Sequence, residues 1–371
     1  DIMGKFDTER YSYQELATNA IMYTGGVAFN VRAISEAENA NAYHIYFSAK
    51  GKALVEKLPQ MFDLLQAIAL ESKLDDVKRF QELVSELKTD WDNNFFTRGQ
   101  TVAISRLYSY CADGARVNEQ DEFSYYQFLK QLVENFDAQA PQLLQKLQAM
   151  LQRFYQKSAF VLSYSCDRDD REYVKTQCLD FIAKLPEADT KGEPEVLPVC
   201  ITNEAITTAG KVQYVAAGGN YAKFGHKYVG AMAVLETILR YEYLWTKIRI
   251  QGGAYGATAR FELNGLGVFV SYRDPQLEKS LQAYKELAAW LKNVEFPERE
   301  LNKYVIGTIS GMDTPLTNTM RIDKASTQYL KQVSDELRQR IRNEVINVTN
   351  EDLQKLGKVV EDMLSDGLIC I

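Results

Sequence analysis

The chain has 371 residues, enough for two domains of ordinary size, with 46% hydrophobic and 25% charged residues, as in globular proteins. Its net charge of −7 is modest for this length and argues against a dedicated nucleic-acid binder. No apolar run approaches the length needed to span a bilayer, so no membrane partner is expected.

An acidic inner wall would favour basic peptides, but the charge reads first as a solvated acidic surface. The five cysteines (Cys111, Cys166, Cys178, Cys200, Cys370) are scattered and form no Cys-x-x-Cys pair. They read as free thiols of a reducing compartment rather than as a zinc knuckle or a redox site. The opening Asp1-Ile2 has neither an initiator Met nor a signal peptide, and reads as the cut end of a longer protein.

Residues 13–22 carry a short helical pattern, 27–34 alternate as a strand, 37–41 form a polar turn and 43–48 a second strand. Leu54, Leu58, Met61, Leu65 and Ile68 mark a helix, and Val77, Phe80, Val84 and Leu87 stripe another across 75–91. Helices are expected at 101–110, 123–136 and 141–154, then a buried strand at 159–165 and a closing helix at 172–185. Residues 186–198, with Glu187, Asp189, Lys191, Gly192 and Pro194, read as a polar linker.

The second half repeats this order. Gly252-Gly253, strand, turn, strand and a helix (Leu277, Leu281, Tyr284, Ala288, Leu291) answer Gly25-Gly26 and the elements after that pair. Residues 297–311 answer the 75–91 helix, and 317–330 the 101–110 helix; 352–363 and 367–371 answer the 141–154 helix and the 159–165 strand. Such matching order argues for an internal duplication. The expected division is a first lobe at 1–185, a linker at 186–200 and a second lobe at 201–371. Mixed hairpins and helices predict an α+β fold, each lobe a mainly antiparallel sheet covered by helices.

Residues 244–275 organise the chain. An apolar helical pattern (Val234, Ile238, Tyr241, Trp245, Ile248) runs into Gly252-Gly253, and glycine caps a helix in the left-handed conformation without steric cost. Extended chain follows, with Tyr255, Ala257, Ala259, Phe261 and Leu263 on one side of the pleat. Asn264-Gly265 is a hairpin turn signal and 267–272 the returning strand. Trp245 and Arg249 are four residues apart on one helical face, with Tyr255 just past the hinge.

The run Leu-x-Thr-x-Ile-Arg-x-x-Gly-Gly-Ala-Tyr-Gly at 244–256 resembles the second-half signature of the presequence-protease branch (subfamily C) of the M16 zinc metallopeptidases, the pitrilysin and insulin-degrading enzyme type. Weaker echoes extend over most of the chain, among them Ser12-Tyr13-Gln14-Glu15-Leu16 and Thr24-Gly25-Gly26. The zinc motif of that family, His-x-x-Glu-His, is absent, since neither His44 nor His226 is followed by it. The resemblance therefore implies the C-terminal half of such an enzyme: two homologous LuxS/metallohydrolase-like lobes of four. Zinc would be bound by the N-terminal catalytic half, the partner of this chain, and unfolded peptides would be the substrates. The compartment would be the cytoplasm in a bacterium, or the mitochondrial matrix or plastid in a eukaryote. The alternative is a catalytically inactive scaffold or processing-complex subunit of the same fold.

Each candidate residue also has a plain structural explanation. Arg249 is a cation in the last turn of a helix, favoured there by the dipole; the resemblance makes it the arginine that reaches the substrate near the cleaved bond. Tyr255 alternates with Phe261 toward a core, yet a phenol at a strand's start can present its hydroxyl to a cleft. By resemblance it steadies the oxyanion of the tetrahedral intermediate. Trp245 stands where relatives usually carry Arg or His, and its place on the apolar stripe predicts core packing, with stacking on a substrate side chain as the alternative. With Gly252 and Gly253 it makes up the substrate-binding set that the resemblance implies. His226 and His44 lack companions at ligand spacing, so no metal site is expected in this chain. Gly218-Gly219 and Gly252-Gly253 are not followed by Gly-Lys-Ser/Thr, which argues against a nucleotide loop. The runs at 50–52 and 338–342 read as solvated faces.

Overall fold

Ser12 accepts a hydrogen bond from the Glu15 amide while the Glu15 carboxylate takes the Ser12 amide at 2.8 Å, and this reciprocal cap starts the first helix. In the computed structural model, which describes residues 1–157, 160–187, 197 and 202–371, that helix is α1 (Tyr13–Tyr23). A long antiparallel hairpin follows, β1 (Val27–Glu36) with β2 (Asn39–Gly51), in register from Val27 opposite Gly51 to Ser35 opposite Tyr43. Seven helices complete the first half: α2 (Leu58–Leu70), α3 (Val77–Asn94), α4 (Gly99–Cys111), α5 (Asp113–Glu119), α6 (Phe123–Glu134), α7 (Phe136–Phe154) and α8 (Arg171–Ala183).

The second half holds β3 (Ala216–Asn220), α9 (Gly230–Tyr241), a π-helical turn at Trp245–Ile250, β4 (Gly256–Phe261) and β5 (Leu266–Tyr272). Then come α10 (Leu277–Lys292), α11 (Glu298–Met312), α12 (Asn318–Leu330), α13 (Asp335–Ile346), α14 (Asn350–Leu364) and β6 (Leu368–Cys370). The strands form an antiparallel sheet in the order β4-β5-β3-β6. The protein is thus α+β with antiparallel sheets, as expected.

Alternation along the strands explains how this sheet is covered. Val215, Ala217, Ala259, Phe261 and Phe269 face α9, α10 and α14, where Leu235, Ile238, Tyr284, Leu287, Val360 and Met363 complete the core. The residues between them, Ala216, Val268, Val270 and Cys370, point the other way and are buried by Ala103 and Leu107 of α4. A helix of the first half therefore roofs the sheet of the second. The counterpart of α4 in chain order, α12, lies by the first-half hairpin: Lys50 meets Asp323 at 2.5 Å, the Ala37 amide donates to the Lys331 carbonyl at 2.9 Å, and Gln332 donates to Glu36 at 2.8 Å.

A charged cluster ties the halves together. Arg106 of α4 reaches Glu119 at 3.0 Å and Glu204 at 2.5 Å, and Tyr110 donates to the same Glu204 at 2.7 Å. Glu119 is 1% exposed, and its second set of bonds comes from the Ser124 amide and hydroxyl, so each buried oxygen has a donor.

One expected strand is not found. Residues 160–165, the described part of the expected strand, form no strand: the apolar alternation is there, but no described strand pairs with it. Ala159 and most of the expected linker lie outside the described residues. Gly218 and Gly219 belong to a strand. A side chain at Gly218 would lie 2.1 Å from the Gly267 carbonyl oxygen, and one at Gly219 would lie 2.3 Å from that of Met363, so close backbone approach explains the pair. The basic run at 338–342 lies on α13 with Arg338, Gln339 and Arg340 exposed, as expected, while Ile341 turns inward with Val345.

Candidate functional site

Arg249 and Tyr255 are brought together by the way the helix ends. After α9 the chain breaks at Glu242 (φ −111°, ψ −86°) and resumes as a π turn, in which the Gln251 amide bonds the Thr246 carbonyl at 3.0 Å. The Gly253 amide then bonds the Arg249 carbonyl at 3.0 Å and the Ala254 amide that of Ile248 at 3.1 Å. Each bond spans one residue more than in an ordinary glycine cap, in keeping with the wide turn before it. Gly253 has φ +81°, the left-handed conformation, and a side chain at Gly252 would meet the Ile248 carbonyl oxygen at 2.5 Å. Both glycines are required by backbone geometry at this point.

The turn places Arg249 with its guanidinium 4.4 Å from the centre of the Trp245 ring and 5.4 Å from that of Tyr255, and its Nη1 donates to the Tyr255 backbone carbonyl. Cation–π contact on both flanks holds a flexible side chain in one place. Trp245 is 41% exposed and Tyr255 66% exposed. Trp245 is therefore not a core residue, contrary to its place on the apolar stripe. The chain break at Glu242 and the widened turn shift the helical phase, so that Leu244 and Ile248 turn inward, at 0% and 1% exposure, and Trp245 turns out. Tyr255 also escapes the alternation, because the pleat begins only at Gly256; Ala259 and Phe261 do face the core.

Tyr255 continues into an aromatic row. Its amide donates to the Tyr272 carbonyl at 3.0 Å and its ring meets that of Tyr272 edge to face at 5.7 Å. Tyr272 in turn meets Tyr214 at 5.3 Å, and the Tyr214 hydroxyl donates to the Phe96 carbonyl at 2.7 Å. Arg273 lies 5.6 Å from the Tyr272 ring centre and 5.9 Å from that of Phe96. Sequence reasoning does not find Tyr272, Tyr214 or Arg273. Only the Asp-Pro turn at 274–275 marks that place in the sequence, and it says nothing of which side chains gather there.

Glu236 on α9 is a further group near this edge. It accepts from the Phe261 amide at 2.6 Å, and burial pushes its carboxyl up to about 7 against the opposing pull of that hydrogen bond. Burial likewise raises the Cys111 thiol to about 12 and that of Cys370 to about 11, so neither is a thiolate at neutral pH.

Among the described residues no group of three or more His, Cys, Asp and Glu side chains could hold a metal ion. His226 instead pairs with Asp362 at 2.7 Å, and the buried Glu119–Arg106–Glu204 cluster is closed by its own ion pairs. A groove of about 900 Å³ is lined by Phe95, Phe123, Tyr126, Lys130, Glu204 and Ile206; neither Arg249 nor Tyr255 lines it.

Both halves of the chain match known proteins. Residues 1–132 match the family of domains associated with peptidase M16, subfamily C, and residues 203–371 match the "PreP C-terminal domain". Protein HypA of Clostridium perfringens is 32% identical over 100% of this chain, which covers 38% of that protein. Presequence protease 1 of Arabidopsis thaliana is 25% identical over 86% of this chain and 30% of its own length. The chain thus spans well under half of these curated relatives. In structure, a protease from Helicobacter pylori superposes with a TM-score of 0.65 at 13% identity, over 99% of this chain and 86% of that one. The chain belongs to the M16 family of peptidases, in its subfamily C, the presequence-protease branch.

Proposed function

We propose that this chain is the C-terminal, non-metal-binding half of a metalloendopeptidase that degrades unfolded peptides inside a closed chamber, and that Arg249 and Tyr255 grip the peptide at the bond to be cut. The observation that carries this reading is the pairing of the two side chains across a glycine hinge, with the Tyr255 ring exposed. The Arg249 fork spends one of its donors on the Tyr255 carbonyl and keeps others for a second acceptor, and the exposed Tyr255 phenol is a further donor.

When a nucleophile adds to a peptide carbonyl, negative charge gathers on the oxygen, and donors already in place stabilise it without reorganising. Arg249 and Tyr255 are such donors. Zinc, implied by family membership, finds no ligand set among the described residues here, so the metal and the general base would belong to the partner half. Coverage of only 30–38% of the relatives' length supports a partner of this kind. The site lies on open surface, in keeping with a centre completed only when the two halves close. The division into lobes at 1–185 and 201–371 is part of this reading, as is a substrate wall formed by Trp245, Gly252 and Gly253.

The test uses the full-length protein. Arg249→Ala and Tyr255→Phe should each lower kcat on internally quenched peptides by about 10²–10³, with much smaller changes in peptide affinity. Unchanged turnover in both variants would discard this reading in favour of an inactive scaffold.

A further inference from the structure

We infer that Arg273 is a specificity residue that binds a peptide carboxylate a few residues from the bond held by Arg249 and Tyr255; this rests on the function proposed above. Its backbone is the first sign. Arg273 has φ +49°, a conformation few residues other than glycine adopt. The neighbour that imposes it is Asp274, which is fully buried. The Asp274 carboxylate takes the Gln276 amide at 2.8 Å and the Ser280 hydroxyl, while its backbone exchanges hydrogen bonds with Gln213 at 2.8 and 3.0 Å. All of the Asp274 acceptors are thereby directed inward. The chain must turn sharply just before it, and the turn throws the Arg273 side chain out over the aromatic row.

The second sign is what that side chain meets. Its guanidinium lies by the rings of Tyr272 and Phe96, and no carboxylate pairs with it among the described residues. Some other cations are held differently: Lys50, Lys223, Lys292 and Arg342, for example, each have an acidic partner. Arg249 shares the arrangement of Arg273, stacked on rings and without a carboxylate among the described residues. The two arginines are linked through the Tyr255–Tyr272 pair by successive contacts of 5.4, 5.7 and 5.6 Å. An extended peptide rises about 3.3 Å per residue, so a chain laid along this row reaches Arg273 within about five residues of Arg249. An arginine fork held on aromatic faces suits a carboxylate, which it can grip with two parallel hydrogen bonds. That carboxylate is either an Asp or Glu side chain or the free C-terminus of a short peptide.

The experiment compares the full-length protein with its Arg273→Gln and Arg273→Lys variants. The peptides are a neutral one with an amidated C-terminus, the same peptide with a free C-terminus, and amidated peptides with one Asp moved through the five positions on each side of the cleaved bond. Arg273→Gln should raise KM about tenfold for the peptides whose carboxylate reaches the residue, leave kcat within about twofold, and spare the neutral amidated peptide; Arg273→Lys should recover part of the loss. Whether the Asp series or the free C-terminus responds identifies the carboxylate. Anisotropy with cleavage-resistant versions of these peptides should show the same pattern in Kd. An equal shift for the neutral amidated peptide, or none for any peptide, overturns the inference. The Kd readout separates this from the function itself: a carboxylate-dependent shift with turnover intact in Arg249→Ala would leave Arg273 as a binding residue while removing the proposed role of Arg249.

Discussion

The guanidinium of Arg249 lies between the rings of Trp245 and Tyr255 and donates to the Tyr255 backbone carbonyl, so a helix end and a strand start are joined by one side chain. This relationship makes the hinge and the candidate site one object. Whatever disturbs the turn moves both donors.

Trp245 supplies one of the faces that hold Arg249. An exposed cation–π contact is worth about 0.5–1 kcal/mol, so Trp245→Ala should reduce kcat/KM roughly two- to fivefold in the full-length protein. Trp245→Phe, which keeps a ring, should lose less. Steady-state kinetics on one peptide measures both; equal activity of all three proteins would show that the indole does not hold Arg249.

The glycines of the hinge should differ in their tolerance. Gly253→Ala strains a residue with φ +81° and should cost about 1 kcal/mol, with Gly253→Asn milder because Asn tolerates the left-handed region. Gly252→Ala drives a methyl to 2.5 Å from the Ile248 carbonyl oxygen and should cost more, about 1–3 kcal/mol, since backbone rather than a side-chain end must move. Thermal unfolding gives the order.

Glu236 makes stability depend on pH. Its carboxyl is raised by burial from 4.5 to about 7 in the folded protein, so the native state holds the proton more tightly than the unfolded chain. The contribution is fully present below pH 4.5 and is lost as pH rises through about 7. Glu236→Gln keeps an acceptor for the Phe261 amide and carries no charge. It should leave Tm little changed at pH 5 and raise it at pH 8, and a fall at pH 8 would contradict this assignment.

The roof that α4 forms over the second-half sheet should couple the halves. Leu107 is 0% exposed against that sheet, and Leu107→Ala should cost about 2–5 kcal/mol. Because the contact is shared, loss of structure in both halves should follow one transition, seen by hydrogen exchange in the β3–β5 strands and in α6 alike. Selective loss of the first half would show that the roof contributes little.

Much of the architecture follows from local chemistry. The helix at Tyr13–Tyr23, the turn at Asn264-Gly265, with Gly265 at φ +99°, and the burial of Ala259 and Phe261 each lie where the local pattern places them. The resemblance of residues 244–256 to a family signature is equally local and agrees with the family match.

Other features have no local cause. The wide turn that carries Trp245 outward breaks the ordinary helical period, and the stripe from Val234 to Ile248 fails at Tyr241, 62% exposed, and at Trp245 before it resumes at the buried Ile248. Residues 160–165 have a strand's composition yet pair with no described strand. By itself the sequence determined the glycine hinge, the hairpin after it and the presence of an arginine and a tyrosine on either side, because backbone sterics and alternation act over a few residues. Only the tertiary structure decided that α4 crosses to roof the other half's sheet, that Tyr272, Tyr214 and Arg273 extend the row from Tyr255, and that Arg249 lies between two rings. Those outcomes depend on contacts between segments far apart in the chain, which no local periodicity records.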